Sequence, residues 1–510
     1  MPSGLHHLTA ITARVQANVD FYAGFLGLRL VKQTAGFADG AQLHLFYGDA
    51  AGSPGSLISF LVWEGGARGR AGHGQVFEVA LAVPPASIGD WLARALQAQI
   101  PVEGPVREFG EPVLRLRDPD GTIVKLVGVD LPAASPLPDP IAPTRLRAVT
   151  LLSDKPTASA DFLARFGYSK GPAERAVQRL VSQSDVIDLR DGSGFVPAIS
   201  GTGMIDHVAF RATDPDAVRA MRRDLGTAQG LTEMHDRRYF LSLYVRDPAG
   251  HLIEYATDGP GFAVDEPPEA LGQTLFIPPH EAERAQDLRV MLPQFALPGE
   301  ERIPMRDLPF IHRFHTPDDP DGSVIVLLHG TGGNEADLMP FAHRIAPNTA
   351  LLGVRGRSNE EGINRWFRRY DAVTYDQADI RAEAEAFKGF MHGAIQSYGL
   401  DATRISYLGY SNGANILGAL MLLHPGLVQR AILLRGINVL DGAPTPDLTG
   451  TDVLLLSGTH DPFARMAPAL EAALRSSGAT LDARTLPAGH DLSAMDLDAA
   501  KAWLDQHKPS

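Results

Sequence analysis

Two sets of residues in this sequence have types and spacings that could do chemistry. The first centres on Ser411, in Gly409-Tyr-Ser-Asn-Gly413, between the apolar run Ile405–Leu408 and the helical pattern Ala414–Leu423. G-x-S-x-G in a strand–turn–helix setting makes a sharp turn that the glycines permit, and it pushes the serine hydroxyl out at the top of a sheet. Asp461 follows, after the run Val453–Leu456, and then His490, after Thr480–Leu486. In that arrangement the histidine takes the serine proton as Ser411 attacks an acyl carbon, and the aspartate orients the imidazole and stabilises its cation. Asp491 competes with Asp461 for the acid role, but it adjoins His490 in sequence and should point elsewhere. An oxyanion needs backbone N–H donors. Asn412, next to the nucleophile, supplies one; the loop His329-Gly-Thr-Gly-Gly-Asn334 supplies another, best placed at Thr331.

The second set emerges from an internal repeat. Asp118-Pro-Asp-Gly-Thr-Ile-Val-Lys125 and Asp247-Pro-Ala-Gly-His-Leu-Ile-Glu254 align without gaps, and Gly52-Ser-Pro-Gly-Ser-Leu-Ile-Ser59 is a weaker copy. Each is a turn leading into an apolar strand. Each closes a unit that opens with another strand and a helical pattern, which gives four βαβββ modules at about 4–65, 72–130, 144–200 and 203–258. The opening-strand position carries His7, Glu78, Ala148 and His207; the closing position carries Ser59, Lys125 and Glu254 in modules one, two and four, with module three unaligned. Modules one and four therefore offer His7, His207 and Glu254. Two neutral imidazoles and a carboxylate are the facial triad of non-haem Fe(II) oxygenases, which leaves coordination positions for substrate and O2. Mn(II) fits the same donors, and such a set also holds Zn(II). In module two, Lys125 would repel a cation.

The elements that position these residues divide the chain. Its 510 residues exceed one hydrophobic core. The first part, 1–297, reads as α+β: the four modules and a C-terminal extension with a helix at Glu281–Leu292. A Pro- and Glu-rich linker, 298–307, leads to an α/β domain, 308–510. There, apolar strands at Val324–Leu328, Ala350–Val354, Ile405–Gly409, Ala431–Leu434 and Val453–Leu456 alternate with helices, as in a mainly parallel sheet covered on both faces. No cysteine is present, which excludes thiolate nucleophiles, disulfides and cysteine zinc sites. A net charge of −14 with no Lys/Arg block argues against nucleic acid. Without an apolar span or a leader-like start, the expectation is a cytoplasmic protein with no membrane partner, with a homo-oligomer left open.

The motifs Leu5-His-His-Leu-Thr-Ala-Ile11, Asn18-Val-Asp-Phe-Tyr-Ala23, His44-Leu-Phe-Tyr-Gly-Asp49 and Leu271-Gly-Gln-Thr-Leu-Phe-Ile-Pro-Pro279 resemble the hydroquinone-type ring-cleaving dioxygenases of the vicinal oxygen chelate superfamily. The resemblance runs to about Pro293. It implies Fe(II) on His7, His207 and Glu254, O2 as co-substrate and a small aromatic diol as substrate. Arg237 and Tyr244 would line the substrate pocket, and His6 and Thr9 would lie just behind the ligands. Where family members often carry a second histidine, before the fourth-module ligand, this chain has Asp206. Catechol cleavage, glyoxalase-like isomerisation and non-catalytic binding of an aromatic compound are the competing readings. The second half resembles the carboxylesterase/phospholipase family of α/β-hydrolases through Leu328–Asn334 and Gly409–Ala414, with Trp366 at a pocket rim and small esters as substrates.

Overall fold

A computed structural model describes residues 4–302 and 308–507. The chain folds as two compact units: Met1–Ala282 with Phe295–Glu301, and Glu283–Gln294 with Arg302–Ser510. The helix expected at 281–292 forms over Ala285–Met291. It belongs to the second unit, where Val290 joins a core cluster and Asp287 pairs with Arg344 at 2.6 Å. Of the 298–307 stretch read as a linker, residues 303–307 lie outside the described residues.

The first unit contains the four modules, and their strand register shows how they pair. Leu5–Thr12 of module one runs antiparallel to Ile205–Ala212 of module four, with Thr9 opposite His207. Gln75–Val83 of module two runs antiparallel to Arg145–Ser153 of module three. Within each module the opening strand lies parallel to the closing strand: Thr9 faces Ser59, Ala80 faces Lys125, Thr150 faces Asp188 and Ala209 faces Glu254. Asp188 is thus the closing residue of module three, which the sequence left unaligned.

The D-P-x-G repeat is turn chemistry made visible. Asp118 Oδ1 accepts from the amides of Asp120 and Thr122, and Asp247 Oδ1 accepts from those of Ala249 and His251. The glycine three residues on is left-handed in both turns, at φ +96° for Gly121 and +98° for Gly250, a conformation that glycine adopts without steric cost. The second carboxylate oxygen reaches the helical segment of the preceding module: Tyr22 donates to Asp118 and Ser159 donates to Asp247.

The second unit is a seven-stranded sheet in the spatial order 312–315, 350–354, 324–328, 405–410, 430–434, 452–458, 480–486. All neighbours are parallel except the first strand, His312–His315, which is antiparallel. Its central strands are apolar throughout because both faces are covered. Val324, Val326 and Leu328 enter one core cluster with Phe387 and Ile416, whereas Ile325 and Leu327 enter the other with Met339 and Trp503.

Candidate metal centre and candidate hydrolase site

His7, His207 and Glu254 converge in the first unit, each offering one ligand atom within 4.8 Å of the others. Three strands bring them together: the antiparallel pairing of modules one and four sets the two histidines on adjacent strands, and Glu254 follows from the parallel pairing inside module four. Glu254 Oε2 is 2.9 Å from His207 Nε2 and 3.2 Å from His7 Nε2. Both carboxylate oxygens are buried, yet neither makes a hydrogen bond of acceptable geometry. A buried carboxylate without a donor is costly. Two imidazole nitrogens pointed at the same place make the set fit a divalent cation.

The histidines behind the ligands settle their tautomers. His6 Nε2 lies 3.1 Å from the Thr257 carbonyl oxygen, which can only accept, so that nitrogen carries the proton. His6 Nδ1 must then accept from His7 Nδ1, 2.8 Å away, leaving the His7 Nε2 lone pair free for a metal. Burial, reinforced by the neighbouring His7, pushes the pKa of His6 down to about 3 and keeps it neutral. On the other side, His207 Nδ1 donates to Asp206 Oδ2 at 2.8 Å. Asp206 thus fixes the His207 ring through its carboxylate. Burial would lower the His207 pKa, but the neighbouring carboxylates of Asp206 and Glu254 outweigh it and raise the value to about 9.

Tyr244 sits cross-strand from Glu254, its ring edge-on to His207 at 5.6 Å, with the Arg237 guanidinium 5.7 Å above the ring. Burial and the Glu254 charge hold its hydroxyl protonated well above the usual phenol range, against the pull of Arg237. Thr9 donates to or accepts from Ser59 Oγ at 2.8 Å, and Ser59 in turn meets His44 Nε2 at 2.9 Å. His44 was visible in the sequence only inside a motif. Its signal is Ser59, the module-one counterpart of Glu254: where that position lacks a ligand, it holds a second imidazole. Burial, with the nearby His7 and His207, lowers His44 to about 3. In the module-two counterpart, Lys125 lies 3.1 Å from Glu78 and 3.3 Å from Thr150, filling that position with an internal cation.

In the second unit, Ser411 adopts φ +51°, ψ −113°, a strained conformation at the head of the helix Asn412–Leu423. Neither flanking glycine tolerates a side chain: a Cβ on Gly413 would lie 1.9 Å from the Leu328 carbonyl oxygen, and one on Gly409 would lie 2.6 Å from that of Gly413. Ser411 Oγ is 3.0 Å from His490 Nε2, and His490 Nδ1 is 2.9 Å from Asp461 Oδ2. Of the two candidate acids, Asp461 is the one that meets the His490 ring; the Asp491 backbone carbonyl accepts from Arg435. Asn412 is the first helical residue, so its N–H has no acceptor within the helix. Thr331 and Asn412 line a cavity of about 300 Å³ together with Ser411 and His490.

Trp366, expected at the pocket rim, is instead 1% exposed and lies inside the core. Its indole donates to the His329 carbonyl at 2.9 Å and its amide donates to Asn412 Oδ1 at 2.8 Å, so it braces the loop and helix that carry the oxyanion donors. Its neighbour Arg365 is in the cavity wall. Arg435, missed from sequence, forms a fully buried bidentate pair with Asp496, at 2.7 and 2.9 Å, and donates to the carbonyl oxygens of Gly489 and Asp491 on either side of His490.

The two folds define the class: a glyoxalase-type fold with a candidate metal site, joined to an α/β-hydrolase fold. The chain belongs to the Glyoxalase/Bleomycin resistance protein/Dioxygenase superfamily, matched over residues 4–126, and to the Phospholipase/Carboxylesterase family, matched over 311–508. More particularly, it is 36% identical to the putative ring-cleaving dioxygenase MhqO of Bacillus subtilis, over 57% of this chain and 96% of the relative. It is 30% identical to the chlorohydroquinone/hydroquinone 1,2-dioxygenase of Sphingobium indicum, over 56% and 95%. The second unit is 34% identical to the putative hydrolase MhqD of Bacillus subtilis, over 36% and 93%. Among the described residues, no helix is long and apolar enough to cross a membrane.

Proposed function

We propose that the first unit opens the ring of hydroquinone-type diols with O2 at an Fe(II) centre, and that the second hydrolyses a carboxylic ester or related acyl bond through Ser411. The carrying observation for the first activity is the convergence of His7 Nε2, His207 Nε2 and a donor-free Glu254 carboxylate. Fe(II) held there would supply open positions for a diol oxygen and O2 and would pass electrons between them; Mn(II) suits the same donors. The chain's own residues bind and position. Two neutral imidazoles and one carboxylate leave the centre net positive, which favours an ionised phenol oxygen. Arg237, 5.7 Å from the Tyr244 ring, would stabilise negative charge building on the substrate or on reduced oxygen. Tyr244, held protonated, keeps a proton to donate beside His207, and neutral His6 keeps His7 in its ligating tautomer. Likeness to the hydroquinone dioxygenase supports the para-diol class, and pairing with a hydrolase suits aromatic degradation or quinone detoxification.

In the second unit, His490 Nε2 takes the Ser411 proton as Oγ attacks the acyl carbon. Asp461 holds the imidazole, and the amides of Thr331 and Asn412 receive the oxyanion. His490 then protonates the leaving alcohol, and water repeats the sequence to release the acid.

Oxygen uptake by anaerobically Fe(II)-loaded protein, with methylhydroquinone and catechol in parallel, tests the first reading. Uptake with the hydroquinone, lost in His207→Ala, supports it. Uptake with catechol alone overturns the para-diol class, and no uptake despite bound iron points to an isomerase or a binding domain. Hydrolysis of a 4-nitrophenyl ester, lost in Ser411→Ala, tests the second.

A further inference from the structure

The hydrolase cavity has a charge pattern that ester cleavage by itself does not require. Among the described residues, its wall contains Arg365, Arg369 and Arg435 and no aspartate or glutamate, in a chain whose net charge is −14. Arg435 is neutralised by Asp496 and serves the His490 loop. The other two are differently placed. Arg365 is only 6% exposed; one Nη shares Glu360 at 3.3 Å, while its Nε is buried with no hydrogen-bond partner. An orphaned buried guanidinium N–H costs free energy unless a ligand satisfies it. Arg369 is exposed and, among the described residues, forms no ion pair. The nearby Asp371 carboxylate accepts from the Val373 amide and from the hydroxyl and amide of Thr374, and the Arg369 charge adds to these in favouring its ionised form.

We propose that Arg365 and Arg369 form an anion subsite, and that the hydrolase takes acyl substrates bearing a carboxylate. A planar guanidinium offers paired N–H donors that match the two oxygens of a carboxylate. A cavity of about 300 Å³ accommodates a short acyl chain between that subsite and Ser411. The inference rests on the hydrolase reading above and gives the fusion a chemical logic. Cleaving a ring bond between a C–OH and a C–H carbon with O2 places one oxygen atom on each carbon. The first becomes a carboxylic acid and the second an aldehyde, with both atoms of O2 incorporated. Each turnover of the first unit thus creates a carboxylate, the kind of group that the second unit's subsite would hold; the ring-opened product has no acyl–alkoxy bond, so the hydrolysis acts on a carboxylate-bearing ester and not on that product directly. Ser411 forms the acyl–oxygen bond, the alcohol leaves with the His490 proton, and water restores the serine and releases the acid.

The test compares 4-nitrophenyl butyrate with mono-4-nitrophenyl succinate, which differ by carboxylate in place of methyl, using the full chain, with Ser411→Ala protein as the background for spontaneous hydrolysis. The expected result is a kcat/KM about tenfold or more higher for the succinate, the range of a charge-assisted pair. That preference should fall about tenfold in Arg369→Gln and in Arg365→Gln. Arg369 is exposed, so its variant remains informative if Arg365→Gln does not fold. Free succinate should inhibit butyrate hydrolysis competitively, and less in Arg369→Gln. A preference for butyrate, or a succinate-to-butyrate ratio unchanged in Arg369→Gln, overturns the proposal while leaving the hydrolase intact. Failure to cleave either ester above the Ser411→Ala background overturns the hydrolase reading itself, and the subsite with it.

Discussion

At the scale of single residues, the side chains behind each site decide whether its chemistry is poised. Asp206 is the test for the metal centre. It accepts from His207 Nδ1 at 2.8 Å and thereby presents the Nε2 lone pair inward. Asp206→Ala should retain the fold and weaken Fe(II) affinity by about 10- to 100-fold, measured by competition with a chelator. Unchanged affinity would mean that His207 is oriented by packing. In the second unit, Asp496 is the counterpart. Burial opposes its charge, but hydrogen bonds from Arg435 and Ser493 outweigh it and hold its pKa below the usual carboxylate range. A depressed carboxylate adds stability above its unfolded pKa of about 3.9, and that stability is lost as pH falls through the folded value. Asp496→Asn leaves Arg435 charged and buried, so it should cost about 3–5 kcal/mol near neutral pH. Denaturant titrations of variant and wild type should converge as the pH drops below about 4. A gap that persists there would show that packing, rather than the ion pair, is lost.

At the scale of elements, turns and close approaches control geometry. The helix after Ser411 sits so close to Val324–Leu328 that a Cβ at Gly413 would come within 1.9 Å of a carbonyl oxygen. Backbone cannot yield as a flexible side chain does. Gly413→Ala should therefore destabilise the second unit by about 1–3 kcal/mol or more and displace Ser411, seen as a lower melting temperature together with lost esterase activity. The D-P-x-G turns make a parallel case. Asp247 organises its turn through the amides of Ala249 and His251 and reaches Ser159, and the strand that follows delivers Glu254. Asp247→Ala should lower the stability of the first unit and loosen metal binding without touching a ligand. Chelator competition and a melting curve read both effects.

At the scale of the whole molecule, two candidate sites occur in one chain, each inside its own compact unit. Their activities should separate cleanly by mutation. Ser411→Ala should reduce ester hydrolysis by about 10⁶-fold and leave oxygen uptake unchanged. His207→Ala should do the reverse. Measured on the same preparations, mutual loss in either variant would show that the two sites depend on one another.

Much of this was legible in the sequence because it is local or periodic. A nucleophile turn needs Gly409 and Gly413 at fixed offsets, and a buried parallel strand must be apolar on both faces. A repeated module puts His7 and His207, or Ser59 and Glu254, at matching positions. Those constraints act over a few residues, so Ser411, Asp461, His490 and the candidate ligand set could be named before any fold was known. What stayed hidden depended on contacts between distant segments. Only strand register identifies Asp188 as the module-three closing residue and brings modules one and four together. Only packing turns Trp366 from a rim residue into a brace, and only the buried pair of Arg435 with Asp496 reveals a clamp on the His490 loop. The sequence by itself determined which chemistries the chain could contain. The tertiary structure decided which nitrogen of each histidine faces inward, which guanidinium is left without a partner, and hence where charge is needed.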